Sequence, residues 1–177
     1  MEINYNLTEE DYLNFNLFHM KNSKSVMNSL KMQRFLTPIF FILISYLFSQ
    51  LGDTPFLFAF IPFLIISIIW IVFYPRFFYK TVIRNVKKMI REGRNGGLIG
   101  KHRMIITEDG ITETTSTDET KVNWSGIQAF KEDNDYFYLY NSSVSAYILP
   151  KRELKNADEV KDYLKNIRLL NRLQGNS

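Results

Sequence analysis

The sequence predicts a membrane α+β protein. A two-helix transmembrane hairpin carries a cytoplasmic antiparallel β-barrel or curved sheet, closed by a C-terminal helix. Three observations lead there. Two apolar runs, Phe35 to Leu51 and Phe56 to Tyr74, are separated only by Gly52-Asp53-Thr54-Pro55. From Leu36 to Pro75 the only formal charge is Asp53. Beyond residue 96 the pattern changes to short alternating segments with turn signals between them.

Charge is distributed unevenly. The net charge is +4 and the mean hydropathy is −0.15, yet neither average describes any one region. Segments 18–34 and 76–94 hold eleven of the 22 Lys and Arg and a single acid, Glu92. The stretch from 95 on is nearly balanced. A surplus confined to the flanks of apolar runs fits lipid headgroups and argues against nucleic acid as partner. The absence of cysteine removes disulfides, thiolate metal sites and cysteine nucleophiles.

Residues 1–34 read as a strand followed by an amphipathic helix. Ile3, Tyr5 and Leu7 alternate with Glu2, Asn4 and Asn6, which is strand periodicity. The partner should be another strand on the same side of the membrane. Thr8 with Asp11 makes a helix start, and a break is expected near Asn22-Ser23.

Residues 35–74 form the hairpin, with spans 35–51 and 56–74. At about 1.5 Å per residue, runs of this length just cross a core about 30 Å thick. Pro38 and Pro62 interrupt them, which is tolerated where neighbours recover the freed carbonyls. Gly52 reads as a helix stop, and Thr54-Pro55 as the cap and first turn of the next helix. Lys21, Lys24, Lys31 and Arg34 precede the first span, and seven bases follow the second. The positive-inside rule then puts both termini in the cytoplasm. The first run starts too far along the chain for a cleaved signal peptide. A soluble core seldom holds forty residues with one charge.

Residues 75–95 read as a basic juxtamembrane helix. Phe78, Val82, Ile83, Val86, Met89 and Ile90 project to one side, and Lys80, Arg84, Lys87, Lys88 and Arg91 to the other. The apolar side packs on the N-terminal helix, and the basic side suits anionic headgroups. Asn95-Gly96-Gly97 reads as a hinge.

Residues 96–177 read as five strands and a helix. The strands are Leu98 to Thr107, Ile111 to Ser116, Thr120 to Lys131, Tyr136 to Asn141 and Ser145 to Leu149. Glu108-Asp109-Gly110 and Glu132 to Asp135 are turns, the second a solvated hairpin tip. Asn156 with Glu159 caps a final helix whose apolar stripe is Val160, Leu164, Ile167 and Leu170.

The order of Glu108-Asp109-Gly110, Trp124-Ser125-Gly126-Ile127, Tyr136 to Tyr140 and Ile148-Leu149-Pro150-Lys151-Arg152, behind a hydrophobic hairpin, resembles the YcxB-like family of bacterial membrane proteins over nearly the whole chain. The resemblance implies a C-terminal domain similar to a pleckstrin-homology-like barrel. Such a barrel has seven strands against the five read here, and Ile3 to Leu7 supplies a sixth.

No catalytic, cofactor or metal constellation is expected. His19 and His102 have no carboxylate or second histidine at ligand spacing, and read as ordinary surface or interface residues. Nucleophile elbow and phosphate loop are absent. Trp124 is read as domain core or a plug, or else as a partner contact. Lys151 and Arg152 are candidate phosphate or headgroup contacts. The expected function is a membrane-anchored, non-enzymatic module that binds a protein partner or headgroups at the inner membrane surface. The alternative is a membrane-stress or bacteriocin-immunity factor acting through the hairpin.

Overall fold

A computed structural model describes residues 1–92 and 97–174, with side chains described as far as Ile167. Residues 93–96, including Arg94 and most of the expected Asn95-Gly96-Gly97 hinge, lie outside the described residues, as does the Leu170 side chain. The chain divides into two compact units, Met1–Phe15 with Lys87–Ser177, and Asn16–Val86.

The second unit contains the apolar helices. α1 (Glu9–Asn22) ends at the expected break, and Ser23 caps α2 (Lys24–Leu51), its Oγ accepting from the Val26 N–H at 3.4 Å. At the other end of α2 the Gly52 N–H bonds the Phe48 carbonyl at 3.0 Å. The positive φ of this turn falls on Asp53, at 47°, and not on Gly52. Asp tolerates that region better than most residues because its short side chain is polar. α3 (Phe56–Arg91) runs on through Pro62 and Pro75. The juxtamembrane helix expected at 75–95 is therefore the continuation of the second apolar helix.

Both α2 and α3 are long and apolar enough to cross a membrane. Only 17% and 6% of their most apolar windows is buried, which a soluble core helix would not tolerate. Phe40, Leu43, Leu47, Ile65, Ile68 and Phe73 are exposed, whereas Ser45, Ser49 and Ser67 are buried. Each serine hydroxyl is satisfied by a backbone carbonyl at 2.7 to 2.8 Å. Small, internally bonded residues inside and large apolar residues outside is the arrangement expected in lipid.

The first unit is the β-domain. Its described residues form seven strands: β1 (Glu2–Leu7), β2 (Gly100–Ile106), β3 (Gly110–Thr114), β4 (Glu119–Asn123), β5 (Ala129–Glu132), β6 (Tyr136–Tyr140) and β7 (Ala146–Pro150). They form two antiparallel sheets, β1-β2-β3-β4 and β5-β6-β7, and not one closed barrel. The segment read as one strand from Thr120 to Lys131 is two strands in different sheets. A 3-10 turn at Trp124–Gly126 parts them. β1 pairs with β2 throughout, Tyr5 facing His102, so the partner sought for Ile3 to Leu7 is β2. Gly110 permits the close approach of β3 to β4: a Cβ there would stand 2.2 Å from the Val122 carbonyl oxygen.

β6 is buried on both faces. Phe137 and Leu139 align with Leu149 and Tyr147 of β7 on one face. On the other face Tyr138 and Tyr140 meet Phe15 of α1, at 5.6 and 5.9 Å between ring centroids. α4 (Ala157–Gln174) starts at the expected cap, with the Glu159 N–H donating to Asn156 Oδ1 at 3.2 Å. It lies beside the Trp124 turn, and its Val160, Leu164 and Ile167 are buried.

Candidate functional site

The bases singled out after the second span lie on the last turns of α3. Lys80, Arg84, Lys87, Lys88 and Arg91 are all exposed. Val86 is buried, and Phe78, Val82, Ile83, Met89 and Ile90 are half-buried. Spacings of three and four residues put successive bases one turn apart on a single side of the helix. Lys88 has a contact with Glu92 at 3.7 Å, a loose, exposed pair that leaves its charge accessible to a larger anion.

Arg152 stands differently. Its Nη1 and Nη2 donate to the two carboxylate oxygens of Asp11, each at 2.6 Å. Asp11 is 1% exposed. It also accepts from the Thr8 N–H and hydroxyl at 2.8 Å, and from the Tyr136 hydroxyl at 2.8 Å. The Tyr136 hydroxyl in turn accepts from Asn14 Nδ2 at 3.1 Å. The helix cap expected at Thr8 and Asp11 is thus the centre of a network that reaches β6 and the β7–α4 turn. Burial alone would raise the Asp11 carboxyl, but the bonds from Arg152, Thr8 and Tyr136 outweigh it and hold it well below the usual carboxylate range. The same pairing raises Arg152 further.

Lys151 is also engaged. Its Nζ donates to the Asp133 carbonyl at 2.5 Å, lies over the Phe137 ring at 4.6 Å and stands 3.7 Å from Glu132. Glu132 pairs with Lys161 of α4 at 2.6 Å, and that bond lowers its carboxyl. Asp133 accepts from the Tyr138 hydroxyl at 2.8 Å. The hairpin tip read as solvated is therefore tied to β6, to the 3-10 turn at Lys151–Glu153 and to α4. Glu132 is paired because the tip folds back toward Lys151 and Lys161, a juxtaposition that local sequence does not show.

His102 is not a surface residue. It is 5% exposed, flanked on β2 by outward-facing Lys101 and Arg103. Its Nδ1 is 3.1 Å from Glu113 Oε1, an oxygen that also accepts from the Tyr5 hydroxyl. The Tyr5 and His102 rings stack at 5.2 Å. Burial, then the Glu113 charge, raise the Tyr5 hydroxyl well above its ordinary value. The His102 Nε2 has no hydrogen-bond partner among the described residues. Strand alternation was the available signal: with Met104 and Ile106 inward, His102 must also point inward.

Trp124 is 7% exposed, and its indole N–H donates to the Thr107 carbonyl at 3.0 Å. It is core, and its bond fastens the turn between the two sheets to the β2–β3 turn. Among the described residues no group of three His, Cys, Asp or Glu is disposed to hold a metal ion.

A family model described as YcxB-like protein matches residues 106–167. This stretch is similar to the YcxB-like family. The resemblance read from the sequence is thereby shown over those residues, which include all four of the quoted motifs. The YcxB-like stretch begins at the last residue of β2 and ends within α4. It contains Trp124, Lys151 and Arg152, but Asp11, Tyr5 and His102, which complete its two polar networks, come from outside it. Neither the search of curated proteins nor that of solved structures finds a match.

Proposed function

We propose that the chain is a membrane-anchored interaction module, multi-pass with both termini in the cytoplasm. Its β-domain is held at the inner surface of the cell membrane. The observation that carries this reading is the side of α3 bearing Lys80, Arg84, Lys87, Lys88 and Arg91, all exposed, on the continuation of an apolar helix long enough to span. Each base near an anionic surface adds about 1 kcal/mol of attraction. The partner class is anionic headgroups, or an acidic protein surface met at the same place.

The β1–β2 ladder supports the topology. β1 precedes the hairpin and β2 follows it, so two spans return the chain to the side it left. Four strands plus three strands and a C-terminal helix also agree with the pleckstrin-homology-like arrangement implied by the resemblance, which we adopt as part of this proposal. Lys151 and Arg152 have a lesser part in it, because their charges are met within the chain.

The test uses the cysteine-free background. A single cysteine in place of Arg84, carrying a solvent-sensitive fluorophore, is followed in full-length protein reconstituted into vesicles. Adding phosphatidylglycerol to a neutral bilayer should shift emission to the blue, and raising salt from about 0.05 to about 0.5 M should reverse the shift. Emission indifferent to both lipid and salt would remove the headgroup role.

A further inference from the structure

Arg34 is the last base before the first apolar run, and part of its guanidinium is already engaged. Its Nε donates to the Ile71 carbonyl at 2.8 Å. Helix α3 cannot satisfy that carbonyl, because the residue four positions on is Pro75, which has no N–H. Beside it, the Trp70 indole N–H donates to the Gln33 carbonyl at 3.4 Å, and the Tyr74 hydroxyl donates to Gln33 Oε1. The Trp70 and Tyr74 rings stack at 4.7 Å. The guanidinium is thus fixed by one edge, with the Phe35 ring 5.4 Å away. Its remaining N–H donors, those on Nη1 and Nη2, meet no acceptor among the described residues.

Depth decides what that free edge can meet. Ile71 is fifteen positions beyond Phe56, about 22 Å along α3, and Arg34 is seventeen before Leu51, about 26 Å along α2. Against a hydrocarbon core about 30 Å thick, both lie just inside the edge remote from the Gly52–Pro55 turn. There an arginine reaches outward to the phosphate layer, and its planar fork matches two phosphate oxygens.

We propose that Arg34 holds one lipid phosphate at the base of the hairpin through its two Nη groups. This rests on the bilayer reading above and adds to it a discrete ligand site. A soluble phosphate shares the chemistry, so the test separates the two sources.

Full-length protein, stripped of co-purified lipid in detergent, is titrated by native mass spectrometry with phosphatidylglycerol, a phosphate-free galactolipid and inorganic phosphate. The wild-type chain should retain one phosphatidylglycerol at about ten-fold lower concentration than galactolipid, and excess inorganic phosphate should not displace it. Arg34→Gln should abolish the preference, and Arg34→Lys should keep part of it. Because Arg34→Gln also uncaps Ile71, it is paired with Pro75→Ala, which restores an N–H to that carbonyl. The double variant should regain thermal stability without regaining the lipid. Lipid preference unchanged in Arg34→Gln, preference recovered in the double variant, or displacement by inorganic phosphate would each overturn the site. A chain monodisperse without detergent would instead remove the bilayer reading itself, and the site with it.

Discussion

Asp11 and Arg152 hold each other by two bonds of 2.6 Å, although the whole hairpin separates them in the chain. The pair is asymmetric: Asp11 is 1% exposed and the Arg152 side chain 48%. Removing the carboxylate strands three kinds of donor at once. Asp11→Ala should therefore cost about 2–4 kcal/mol, read as a lower denaturant midpoint for the β-domain. A loss no larger than that of an exposed pair, below about 1 kcal/mol, would show that the network is not structural.

The same carboxyl sets an acid dependence. Its folded-state value is depressed, so its contribution is fully present above the ordinary aspartate value of about 3.9 and is lost as pH falls toward the lower folded value. Arg152 is raised and stays charged throughout, so it adds no slope. Wild type should lose stability below about pH 4, and Asp11→Asn should lose less over the same interval. Parallel pH profiles for the two proteins would contradict the assignment.

Tyr5 and His102 converge on one oxygen of Glu113, so their contributions should not add. Tyr5→Phe should cost about 1 kcal/mol in the native background, and Glu113→Gln about 1–2. A double-mutant cycle between Tyr5→Phe and His102→Phe should give a coupling above about 0.5 kcal/mol. Strict additivity would mean that the shared oxygen is not energetically shared.

Trp124 offers a graded test. Trp124→Phe keeps most of the ring volume but loses the bond to the Thr107 carbonyl, and should cost about 1 kcal/mol. Trp124→Ala should cost about 3–5 kcal/mol, because it opens a cavity beside α4. Equal effects would place the energy in the hydrogen bond and not in packing.

Much of the fold is legible locally, because its signals are local. Thr8 with Asp11, and Asn156, announce helix starts through side chains that cap nearby N–H groups, whereas Asn22-Ser23 announces only a break. The apolar runs announce the hairpin by composition. Strands β4 and β5 read as one segment because Val122, Trp124 and Ile127 make one apolar pattern, and the intervening turn carries only Gly126 as a breaker. The polar networks are a different matter. Arg152 finds Asp11, and Glu132 finds Lys161, only after the strands are paired, and nothing in either neighbourhood names the other. His102 was legible in principle, since alternation with Met104 and Ile106 points it inward. The charges on either side of it obscured that.

Pairing of β1 with β2 requires two spans to return the chain to one face of a bilayer. Because the chain has no cysteine, single cysteines can be placed at Glu10, Thr54 and Ser142 and exposed to a membrane-impermeant thiol reagent in intact cells. Only the residue-54 cysteine should be labelled, and the other two should become reactive together once the membrane is permeabilised. Cysteines at 10 and 142 labelled from different sides, or all three reactive alike, would contradict that topology.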